Sequence, residues 1–70
     1  MKKYKLSILI NGRKQDDIIK RSRIAAERVL NSLLLSYDLQ VEDIIIRDNG
    51  HWQEFVCNNT TRFVINRISA

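Results

Sequence analysis

The stretch IIIRDNGHWQEF, Ile44 to Phe55, decides how this chain folds. Asn49-Gly50 between two apolar runs is the strongest short-range signal for a β-hairpin. A two-residue turn there sets Asp48 opposite His51, Arg47 opposite Trp52, Ile45 opposite Glu54 and Ile44 opposite Phe55. Side chains alternate across a strand. One face of the hairpin therefore carries Ile44, Ile46, Gln53, Phe55 and Cys57, and the other Ile45, Arg47, Trp52, Glu54 and Val56. Large apolar residues stand on both faces, yet a single helix covers only one.

Downstream, Asn58-Asn59-Thr60-Thr61 reads as a four-residue loop leading into a further strand, TRFVINRI. On that register Phe63 faces Val56, Ile65 faces Glu54 and Arg67 faces Trp52, so all three join the Trp52 face. Upstream, Tyr4 to Ile10 alternates as a strand and Asn11-Gly12 signals a turn. SRIAAERVLNSLLLSY reads as a helix with Ser22 as its N-cap. Ala26, Val29, Leu30, Leu33 and Tyr37 fall on one stripe of it.

QDDIIKR, before Ser22, has two readings. It is either a strand paired back through Asn11-Gly12 or an early extension of the helix capped by Asp16. A helix over residues 23–37 is about 22 Å long and matches a seven-residue strand of about 23 Å. A helix from Asp17 overhangs the sheet, which favours the strand. The expected fold is one α+β domain over residues 1–70: an antiparallel sheet of four or five strands with one helix on one face. The order is β-β-α-β-β-β, with β-α-β-β-β as the alternative.

The helix is assigned to the Ile44/Ile46/Phe55 side, where Gln53 is the only polar residue of the hairpin. The opposite face then shows Trp52 flanked by Arg47 and Arg67, with Ile45, Val56, Phe63 and Ile65 around it. Exposed apolar surface with Trp and Arg marks interaction sites. Trp52, Arg47, Arg67, Ile45 and Phe63 are the expected protein-binding residues, against a partner protein or a second copy of the chain. A second row, Ile24, Arg28, Asn31 and Leu35, lies opposite the helix core stripe. From it Ile24, Arg28 and Leu35 are further contact candidates.

The 70 residues carry a net charge of +4, unevenly placed. Residues 1–30 hold nine Lys/Arg against three Asp/Glu, and residues 31–70 hold three against five. Such polarity steers an acidic partner, nucleic acid included. Lys2, Lys3, Lys5, Lys14, Lys20, Arg21 and Arg23 are the phosphate-contact candidates of that alternative. Tyr4 is the only aromatic among them, which argues for a protein partner over stacking on bases.

One Cys excludes an internal disulfide and suits a reducing, cytoplasmic setting. The apolar run after the basic start is too short for a signal peptide, and no segment approaches a membrane span. The two overlapping sequons in residues 58–61 read as turn chemistry. One His and one Cys cannot supply a usual tetrahedral zinc site, so no metal or cofactor is expected. Asp48 and His51 meet across the turn without a convergent nucleophile, which predicts no enzyme. Cys57 is expected in the core. The only glycines, Gly12 and Gly50, sit in turns, so no phosphate-cradling loop exists.

A short strand with an NGRK turn, SRIAAERVL opening a helix at Ser22, and strands around DNGHW together resemble small proteins of phages and mobile elements. In layout the chain is most similar to small type I-F anti-CRISPR proteins built as a sheet with one helix. The resemblance covers most of the chain and rests on layout rather than a diagnostic motif. It implies a non-enzymatic inhibitor that binds a host nucleic-acid-handling complex and competes for its DNA channel. It transfers no contact residue. A direct nucleic-acid binder and a structural homodimer are the alternatives.

Overall fold

The structure, a computed structural model, describes residues 3–69. Two hairpins and a central strand make one five-stranded antiparallel sheet. β1 (Lys3–Ile10) and β2 (Arg13–Lys20) form the first hairpin. α1 (Arg23–Ser36) follows, then β3 (Asp43–Arg47), β4 (Trp52–Val56) and β5 (Thr61–Ser69). The spatial order is β2-β1-β5-β4-β3. Of the two readings of QDDIIKR, the strand is the one observed. Asn11 (φ 55°) and Gly12 (φ 77°) supply the left-handed backbone that a two-residue hairpin needs. The β1–β2 ladder carries one irregularity: Ile8 pairs with Asp16 but Leu9 with Lys14, so Gln15 bulges out.

The helix starts where expected. Ser22 Oγ accepts from the Ala25 N–H at 3.1 Å, satisfying one of the free donors of the first turn. Ala26 and Leu30 are buried, and Val29 and Leu33 pack against the core. Tyr37 is not on the stripe. The helix ends at Ser36, Asp38 turns left-handed (φ 54°), and Tyr37 stands exposed as the C-cap.

The core is built on β1 and the central strand β5. Phe63, Leu6 and Ile65 are its largest fully buried side chains, roofed by Ala26 and Leu30 and joined by Cys57. Burying an aromatic or aliphatic side chain of this size stabilises by about 1.5–3 kcal/mol. Cys57 lies in the core as expected, and burial pushes its thiol pKa up. Leu39 and Val41 pack onto the core from the segment before β3.

Two further expectations are corrected. Val56 pairs with Arg62 and Phe55 with Phe63, one residue away from the expected register. The cause is Asn58, whose Oδ1 accepts from Thr60 N, Thr60 Oγ1 and Thr61 N, each at 2.8 Å. Those bonds tighten the loop to Asn58-Asn59-Thr60, and Cys57 N donates to Thr61 O at 3.0 Å. A one-residue shift exchanges the faces of a strand. Phe63, Ile65 and Arg67 thus lie on the helix side, and Arg62, Val64 and Asn66 take their places beside Trp52.

The second correction is lateral. The helix lies on the expected face, but it packs on β1, β2 and β5 only. Its connection from β2 is two residues long, which holds it over that half of the sheet. Ile44 (51% exposed) and Ile46 (62%) on edge strand β3 are left uncovered.

Candidate functional site

Basic residues gather at the end of the sheet where α1 begins. On the helix side, one cross-strand row runs Lys20, Tyr4, Arg67, His51. Tyr4 pairs with Lys20 on one side and with Arg67 on the other, and Arg67 N donates to His51 O at 2.8 Å. The β2–α1 connection and the start of α1 set Arg21, Ser22 and Arg23 beside that row. Together with Asn49-Gly50 they line a hollow of about 420 Å³. A neighbouring hollow of about 530 Å³ is lined by Lys3, Lys20 and Arg21 with Ile19 and Ala25. Among the described residues no carboxylate lines either one.

The first turn of α1 holds no acidic residue, so the positive end of the helix dipole adds to the same field. Among the described residues two carboxylates lie nearby. Glu27 meets Arg23 at 3.6 Å along the exposed helix, and Asp48 stands 3.9 Å from His51 Nδ1. The Arg67 guanidinium lies closer to that imidazole, with Nη1 3.0 Å from Nε2. The expected Asp48–His51 contact is therefore loose. His51 belongs to the basic row.

The face away from the helix holds a second feature. Ser7, Val64 and Glu54 form a floor that is 7%, 6% and 9% exposed. Glu54 Oε2 accepts from Arg62 Nη1 at 2.6 Å. Ser7 Oγ donates to Asp17 Oδ1 at 2.7 Å, and Lys14 Nζ reaches the other oxygen at 2.7 Å. The bulge at Gln15 makes this possible, because it brings Lys14 and Asp17 onto one face although they are three apart. Hydrogen bonds from Lys14 first and Ser7 second lower the Asp17 pKa.

Trp52 and Lys5 rise at one end of this trough. Asn11 N donates to Thr60 O at 2.7 Å, which ties the two loops together at the other. The trough, open to solvent along its mouth, has a volume of about 450 Å³.

The structure sorts the sequence-derived candidates. Lys3, Lys20, Arg21 and Arg23 come together, whereas Lys5 and Lys14 go to the trough face. Lys2 lies outside the described residues. Trp52, Arg47 and Ile45 share the trough face as expected, with Arg47 paired to Trp52. Phe63 is fully buried and is not a contact residue. Arg67 joins the basic row instead of flanking Trp52. Ile24, Arg28 and Leu35 are exposed on α1, Leu35 at 84%.

Sequence reading missed Arg67 and His51 as members of the basic row and the whole trough floor. The only signal for either was the length of the Asn58 loop. Among the described residues no three His, Cys, Asp or Glu side chains cluster as metal ligands, and no helix is long and apolar enough to cross a membrane. Compared with known proteins, the chain matches no family model, no curated protein and no solved structure.

Proposed function

We propose that this chain is a small non-enzymatic binding protein that grips nucleic acid phosphates, working in the cytoplasm on nucleic acid or on a complex that handles it. The observation that carries this reading is the convergence of Lys3, Lys20, Arg21, Arg23 and Arg67 at one end of the fold, where none of the described residues lining the hollows is a carboxylate. Clustered cations of this kind release counterions from a phosphate backbone, and that release drives sequence-independent binding.

A titration by fluorescence anisotropy against labelled oligonucleotides tests it. Log affinity should fall with log salt by about one unit per neutralised phosphate. Replacing Lys20, Arg21 and Arg23 together should weaken binding and flatten that slope. No binding at low salt would sink the reading.

A second reading keeps the anti-CRISPR-like, phage-type inhibitor, docked on a protein subunit of a nucleic-acid-handling complex of its host. Ile44 and Ile46 favour it, exposed on the helix side of edge strand β3. Exposed apolar side chains on a strand edge suit a protein contact. On this reading the basic end speeds association with an acidic protein surface, and the same triple replacement lowers the on-rate. Homodimer formation was motivated by an apolar Trp52 face, and that motive weakens once Phe63 and Ile65 lie in the core.

A further inference from the structure

We infer that the trough on the sheet face away from the helix accepts an unpaired base, so that the nucleic acid this protein prefers is single-stranded. The inference rests on the proposed nucleic-acid binding and names which form of nucleic acid is bound and where its base goes.

The trough has the size of a ligand site, about 450 Å³ against a usual range of roughly 300–1,000 Å³. It offers what a base needs. Trp52 supplies an aromatic surface in the lining. Its Nε1–H is buried, with no acceptor among the described residues, so the indole meets a base through its ring rather than through that donor. The floor carboxylate of Glu54, held by Arg62, accepts from an exocyclic amine. Asn66 pairs with Trp52 across β4–β5 and brings both a donor and an acceptor. Lys5 stands in the same lining without an ion pair among the described residues, placed for a phosphate next to the base.

Position links the trough to the basic row. Trp52 follows His51 in the chain, and Asn66 precedes Arg67. The trough mouth and the phosphate-gripping row therefore open at the same end of the sheet on its opposite faces. A single strand bends round that end with its backbone on the cations and one base turned into the trough. A duplex holds its bases stacked inside and reaches only the cations.

Trp52 is the only tryptophan, so its fluorescence reports on the trough alone. The experiment titrates the protein with an oligonucleotide of about 12 nucleotides, single-stranded and as the matching duplex, at low salt. The expected result is tighter binding of the single strand, with quenching of Trp52 emission that the duplex does not produce. Trp52→Ala should weaken single-strand binding by roughly ten- to a hundredfold, with Trp52→Phe recovering most of it. Circular dichroism checks that each variant folds, and the quenching readout needs no variant.

If both forms bind without quenching, the base-docking inference is overturned while the phosphate-binding function stands. If single strand is preferred but Trp52 emission does not change, the trough is again ruled out. If neither form binds at low salt, both fall together.

Discussion

The β3–β4 and β4–β5 connections do the same job by different means. In the first, the backbone makes the turn: Asp48 (φ 53°), Asn49 (φ 55°) and Gly50 (φ 88°) are all left-handed, so the connection runs from Asp48 to His51 instead of the expected two residues, and His51 N donates to Asp48 O at 3.0 Å. In the second, one side chain makes it, since Asn58 Oδ1 collects three donors. A turn written in backbone preference is readable as a dipeptide, and the register it sets for Arg47 to Val56 is the expected one. A turn written in one carboxamide is not readable from residue types, because Asn-Asn-Thr-Thr suits a loop of three or of four. Yet that single residue of difference decides which face of β5 enters the core.

The comparison breaks most sharply at Phe63. Phe63→Ala should destabilise by about 3–5 kcal/mol, as for buried aromatics, while Arg62→Ala should cost far less. Chemical denaturation of the two variants measures this. Equal, small losses would restore the four-residue loop and return Phe63 to the surface.

Asn58→Ala comes next. It removes an acceptor from three donors, two of which water can reach, so a loss of about 1–2 kcal/mol is expected. Thermal melting gives the loss, and amide exchange at Thr61 and Phe63 shows whether β5 keeps its register. A variant as stable as the parent would mean that the loop length is set elsewhere.

Gly50→Ala sharpens the other side. An added Cβ meets no atom within 4 Å, so only the left-handed backbone resists it. The cost should be about 1 kcal/mol, read as a small shift in the denaturation midpoint at unchanged slope. A much larger loss would show that the first turn also depends on side-chain packing.

Most of the fold was legible because it is written locally. Alternation marks β1, the Ser22 cap and the apolar stripe mark α1, and two Asn-Gly pairs mark two hairpins. The trough was not legible, because its floor joins Ser7, Glu54 and Val64 from three strands and depends on the register of β5. The basic end was legible in part. Lys20, Arg21 and Arg23 are neighbours in the chain, whereas Arg67 and His51 reach them only through strand pairing. The uncovered Ile44 and Ile46 were hidden for a third reason: how far a helix extends across a sheet is set by the short β2–α1 connection rather than by any apolar pattern.

The middle of this sheet is its last strand in chain order. Leu6 and Ile65, partners in the core, are 59 positions apart. The β1–β2 and β3–β4 hairpins touch each other only through β5. An isolated hairpin is marginally stable at best. During synthesis at about 5–20 residues per second, the first hairpin therefore waits about 3–10 s for the strand that completes it. Throughout that interval the inner edge of β1 is unpaired, and once Val56 has been made the inner edge of β4 is unpaired as well. The nascent chain passes through a window of seconds in which strand-to-strand association with other chains competes with folding.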